Sequence, residues 1–152
     1  MRIGLGQYNR YFKRDSSFYL GGILFSAGDK NDPVNSNDPL IHSIADALLG
    51  AVGLGGLYNY PEIAKTNNPE VLSEIERKIH YQKFTIENID VTITVPDRVV
   101  LGKRNEIHSN LISGLFIKSE QLNLKFTFSS NNTDTADYKI QITAIALLKD
   151  RS

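Results

Sequence analysis

Apolar residues recur along this chain with two periods, and each change of period marks an element. Residues 2–9 and 18–26 read as strands joined by the polar stretch Lys13-Arg14-Asp15-Ser16-Ser17. A loop rich in Asp, Asn and Pro follows, from Gly28 to Asn37. Asp38 and Pro39 then form a helix start, because an Asp side chain caps free amides and Pro suits the first turn. Leu40, Ile41, Ile44, Leu48 and Leu49 keep helical spacing as far as Gly50 or Gly53, where the helix should stop. A second helix starts at Asn68-Pro69, with Leu72, Ile75 and Ile79 on one face. The period returns to two over residues 84–95, where Ile89, Val91 and Ile93 alternate with Asp90 and Thr92. A third helix is expected from about Lys103 to Phe116, and two strands, Leu122–Ser129 and Tyr138–Leu148, close the chain.

This order predicts a single domain over residues 1–152 of the α+β class, with a two-layer architecture: a mixed β-sheet with helices packed on one face. A chain of 152 residues is long enough to bury a real core. Hydrophobic residues at 41% and charged residues at 22% fit a soluble protein. Seventeen basic and seventeen acidic residues cancel, so no global field draws the chain to nucleic acid or anionic lipid. The total lack of cysteine excludes disulfides, a thiolate nucleophile and Cys-based metal sites. The nearly apolar stretch from Ile44 to Leu57 is shorter than a membrane span and contains Asp46. No signal-like stretch opens the sequence, and a cytoplasmic location is expected.

Several segments in series carry a family likeness. They are Met1-Arg2-Ile3-Gly4-Leu5-Gly6, Leu20-Gly21-Gly22-Ile23 and the helix Asp38-Pro39-Leu40-Ile41-His42-Ser43-Ile44-Ala45-Asp46-Ala47-Leu48-Leu49-Gly50-Ala51. Asn88-Ile89-Asp90-Val91-Thr92-Ile93, Leu122-Asn123-Leu124-Lys125 and Ala144-Ile145-Ala146-Leu147-Leu148 follow in the same order. Together they resemble the methylerythritol cyclodiphosphate synthase family of isoprenoid precursor synthesis. The resemblance implies a homotrimer whose sheets face a central channel, with active sites in clefts between subunits. It also implies a cytidine diphosphate ester as substrate, closed to a cyclic diphosphate with loss of CMP while zinc and magnesium neutralise the phosphates.

The residues expected to do that chemistry have changed. In the family, an Asp and a His of the first strand join a helix His on zinc. Here His42 matches the helix ligand, whereas Tyr8 and Arg10 stand at the other two places. A catalytic zinc uses three protein ligands. At roughly 4 Å, with an effective dielectric of about 20, Arg10 would repel a dication by about 8 kcal/mol before relaxation. The family's Thr-Thr-Glu, whose Glu holds magnesium, falls on Phe128-Ser129-Ser130. Its loop His-Ser falls on Val34-Asn35, its Asp-Ile-Gly on Gly56-Leu57-Tyr58, and its channel-lining Arg-Gly-Glu on Ala136-Asp137-Tyr138.

Arg10, Asp38, His42, Lys125, Ser129 and Ser130 are therefore the candidate ligand contacts, and no metal ligands are assigned. Arg10, His42 and Lys125 would form a metal-free anion pocket if they converge. His42 and Asp46 stand one helical turn apart. Asp46 either orients the imidazole or forms a polar pair with it at the helix–sheet junction. His80 and His108 read as solvated surface. Gly50 to Gly56 follows a helix without a Gly-Lys-Ser/Thr ending, so it reads as helix termination and not as a phosphate loop.

The leading functional expectation is a trimer that has lost or changed its catalysis and binds an anionic or nucleotide-like small molecule, with no nucleic acid and no membrane as partner. No cofactor is expected, or zinc and magnesium if the family activity survives. The alternatives are a working phosphorus–oxygen lyase and an interaction subunit of a competent relative.

Overall fold

The computed structural model describes residues 1–13, 16–25, 37–65, 68–96, 98–129 and 137–151. Strand β1 (Arg2–Lys13) lies antiparallel to β6 (Asp137–Asp150), in register from Arg2 opposite Leu148 to Lys13 opposite Asp137. The β6 strand is also antiparallel to β4 (Phe84–Val95), and β4 runs parallel to β5 (Leu122–Phe128). The sheet is thus mixed, in the order β1-β6-β4-β5. Helices α1 (Pro39–Ala51), α3 (Asn68–Tyr81) and α4 (Arg104–Leu115) form the second layer, and a short α2 (Pro61–Ala64) precedes α3. No helix among the described residues is long and apolar enough to cross a membrane.

The period-two pattern decides which face the helices cover. Val91, Ile93 and Val95 on β4, and Ile140, Ile142 and Leu148 on β6, are buried beneath them. Where α1 crosses the sheet, large side chains are missing from both layers. Gly4 and Gly6 of β1 stand opposite Ala146 and Ala144 of β6. A Cβ on Gly4 would lie 1.8 Å from the Ala47 carbonyl oxygen, and one on Gly6 would lie 1.9 Å from that of Ser43. The Ser43 hydroxyl donates to the Gly6 carbonyl at 2.9 Å. Strand and helix therefore meet backbone to backbone, which fixes the register of every later residue on β1 against α1.

Three expectations change. The first strand runs to Lys13, through the start of the expected polar turn. Over its described residues, 18–25, the expected strand over 18–26 is a hairpin, β2 (Phe18–Leu20) and β3 (Ile23–Phe25), in a separate two-stranded sheet. Gly21 and Gly22 turn it with φ of 62° and 81°, a left-handed pair suited to a tight hairpin. His108, expected on the solvated surface, is half-buried. Its Nε2 lies 2.9 Å from the Leu122 carbonyl, and Arg104, one turn earlier, donates to that of Leu124 at 3.2 Å. Together they cover part of the β5 edge, where unpaired carbonyls would otherwise invite pairing. His80 is exposed, as expected, and pairs with Arg151.

Candidate functional site

Beyond Gly6, the next residues on the helix-facing side of β1 are Tyr8 and Arg10, because alternate strand residues share a face. Opposite them is the first turn of α1, which carries His42. The His42 imidazole is 6% exposed and lies between two tyrosines. Its centroid is 4.5 Å from that of Tyr8 and 4.7 Å from that of Tyr58, the latter edge-on. Tyr58 belongs to a 3-10 turn (Leu57–Asn59) and covers His42 from the solvent side, itself 73% exposed. Arg10 crosses from β1 to the helix start, where Nη1 donates to the Asn37 carbonyl at 3.0 Å. It also hydrogen-bonds Tyr8, which in turn bonds Tyr58. Burial raises the Tyr8 phenol above its ordinary pKa. Tyr58 adds to the rise, and Arg10 opposes it.

Asp46 completes the cluster. One carboxylate oxygen lies 3.3 Å from His42 Nε2, and the other accepts the Leu57 amide at 2.6 Å. The carboxylate thereby links the imidazole to the turn that carries Tyr58. Burial raises the Asp46 carboxyl, but the hydrogen bonds from His42 and Leu57 and the His42 charge outweigh it, so the net shift is downward.

Asp38 is buried and faces inward. Its Oδ1 accepts the amides of Gly21 at 3.0 Å, Leu40 at 3.0 Å and Ile41 at 3.1 Å, and its Oδ2 accepts that of Gly22 at 2.7 Å. One side chain caps α1 and holds the β2–β3 turn. Burial pushes this carboxyl above its ordinary pKa against the pull of those four amides. A cavity of about 40 Å³ lies among Asn37, Asp38, His42, Leu57 and Tyr58. That is room for about one water molecule. A larger cavity of about 550 Å³, lined by Glu76, Leu115, Phe116 and Lys149, shares no residue with this site.

Arg10, Asp38 and His42 come together; of the other described candidates, Lys125 and Ser129 do not join them within one chain. Lys125 lies on β5, at the opposite edge of the sheet and on its open face. Three strand spacings separate β1 from β5, about 14 Å. The Lys125 ammonium pairs with Asp90 at 2.8 Å, and Asn123 donates to the same carboxylate at 3.0 Å. Those bonds, that of Lys125 foremost, hold the Asp90 carboxyl below its ordinary pKa. The pocket expected from Arg10, His42 and Lys125 is therefore not formed in a single chain. Ser129 is exposed just past β5, its amide on the Val95 carbonyl at 3.2 Å. Ser130, Val34, Asn35 and Ala136 lie outside the described residues. Sequence reasoning missed Tyr58 as a cover for His42; the available signal was a Gly-Gly turn followed at once by an apolar residue and an aromatic.

The donor set does not fit a three-ligand zinc site. His42 and Asp46 bond each other, Asp38 is occupied by four amides, a Tyr8 ring packs on the imidazole, and Arg10 adds positive charge nearby. Among the described residues, no group of three or more His, Cys, Asp or Glu side chains is placed to hold a metal ion.

Comparison with known proteins supplies the family. A profile of the YgbB family matches residues 1–149. The 2-C-methyl-D-erythritol 2,4-cyclodiphosphate synthase of Treponema denticola is 34% identical over 132 residues, covering 82% of this chain and 81% of the relative. The synthase of a Hydrogenobaculum species is 28% identical over 154 residues, covering 97% of each chain. Among solved structures, Plasmodium falciparum IspF in complex with CDP superposes with a TM-score of 0.79 at 23% identity, over 99% of this chain and 97% of that one. A CDP-bound 2C-methyl-D-erythritol-2,4-cyclodiphosphate synthase gives 0.77 at 21% identity, over 97% of this chain and 100% of that one. With the sheet order and the β1–α1 contact, these matches establish the chain as a divergent member of the YgbB family, the family of the 2-C-methyl-D-erythritol 2,4-cyclodiphosphate synthases.

Proposed function

We propose that the protein is a cytoplasmic homotrimer, non-catalytic or repurposed, that binds an anionic or nucleotide-like ligand in clefts between its subunits. The observation that carries this reading is the Tyr8–His42–Tyr58 stack with Arg10 beside it, standing where the family resemblance calls for zinc ligands. Two features support clefts between subunits. Arg10 and His42 sit at one edge of the sheet and Ser129 at the other, both toward the same end. A closed ring of copies in head-to-tail contact would bring those edges together. The open face also exposes Ile3, Leu5, Tyr11 and Ile145, apolar surface that a neighbouring copy would cover. Two of the similar structures were solved with CDP, which supports a nucleotide-like ligand.

A second reading, an active phosphorus–oxygen lyase releasing CMP, is favoured by the relatives, which are themselves synthases. Phosphorus NMR of the purified protein with the cytidine diphosphate methylerythritol phosphate substrate, zinc and magnesium separates the two. The first reading expects no CMP and no cyclic diphosphate beside an active synthase run in parallel. Turnover that disappears in His42→Ala would establish the second.

A further inference from the structure

A phosphate ester brings at least one full negative charge into a partly desolvated cleft, and something must offset it. The described groups around His42 limit the choices. The first amides of α1, at Leu40 and Ile41, already donate to Asp38, so the helix start does not supply the charge. The Asp46 carboxylate is negative and bonded to His42 and Leu57. A divalent ion has no three-donor set among the described residues. Arg10 is a cation that these residues do place, bonded to Tyr8, whose ring packs on the imidazole, and to the Asn37 carbonyl just before α1.

We propose that Arg10 takes the electrostatic place of a metal ion in this cleft and binds the ligand's phosphate directly, so that binding needs no divalent cation. The inference rests on the proposed reading of the cleft as an anion site. A planar guanidinium presents paired N–H donors that match two phosphate oxygens, a geometry a lysine would not reproduce. Tyr8 contributes twice, packing on His42 and bonding Arg10, and so ties the charge to the wall of the site.

Calorimetric titration of the purified full chain with CDP tests this, in EDTA-treated buffer and again with zinc and magnesium added. The dissociation constants in the two buffers are expected to agree within about twofold. Arg10→Ala should weaken metal-free binding about tenfold or more, with Arg10→Lys only partly restoring it. Binding that requires added metal would overturn the inference and leave the anion cleft standing. Metal-free binding unchanged in Arg10→Ala would also overturn it. No CDP binding in either buffer would remove the cleft reading itself, and the inference with it.

Discussion

The two halves of the β1–α1 pair obey different rules. In the first half, Gly4 and Gly6 meet Ala47 and Ser43 with no side chain between the backbones, and a single added methyl would collide. In the second half, the Tyr8 ring packs on His42 and Arg10 hydrogen-bonds Tyr8, so side chains make the contact. The first contact is steric and admits hardly any alternative, because a Cβ within 2 Å of a carbonyl oxygen forces the layers apart. The second is chemical, because at positions 8 and 10 the contact with α1 runs through side chains and not through the backbone. A frame of this kind does not by itself dictate the chemistry it carries.

Breaking the steric half should have the largest effect. Gly6→Val must drive β1 off α1 and break the Ser43–Gly6 bond, and a loss of about 3 kcal/mol or more is expected in urea unfolding. A loss under about 1 kcal/mol would mean that the close approach is not what sets the register. Asp38→Ala leaves four amides without their acceptor and should lower stability by about 2–3 kcal/mol in the same assay.

Asp46→Asn comes next, at about 1–2 kcal/mol near neutral pH, because one charged partner of His42 and Leu57 is lost. Its pH dependence follows from the direction of the shift. The folded carboxyl lies below its unfolded value, so its contribution is complete above the ordinary carboxylate range and fades as pH falls through the depressed folded value. The gap between wild type and Asp46→Asn should therefore close only in acid, below about pH 4. A gap that widened there would contradict the assignment. The smallest effect is expected for Lys125→Ala. It breaks an exposed ion pair worth less than about 1 kcal/mol, and an isolated chain offers no route from it to His42. A marked change in CDP affinity on this substitution would place Lys125 in a cleft completed by a neighbouring copy.

Much of the frame is legible in the residues. Period-two alternation located β4 to the residue, and Asp38-Pro39 marked the start of α1 because capping is a local property. The 18–26 segment failed as a single strand because two left-handed glycines turn it, with an acceptor 16 residues further along the chain. Gly4 and Gly6 could be seen to lie inside a strand, but their purpose depends on a helix that follows more than 30 residues later. The site was legible as substitution and not as geometry. Tyr8, Arg10 and His42 were singled out by position. Their stacking, the cover by Tyr58 and the separation of Lys125 arise from long-range register, which no local pattern encodes.

On the proposed reading, Tyr8 and Arg10 on β1 close this site to metal while the frame around them still stands. The most direct measurement is zinc content per chain after purification with zinc present, for wild type and for the double substitution Tyr8→Asp with Arg10→His. Substoichiometric zinc is expected in wild type and about one zinc per chain in the double variant, since two donors would then join His42 on a preserved frame. One tightly held zinc per chain in the wild-type protein would contradict that reading.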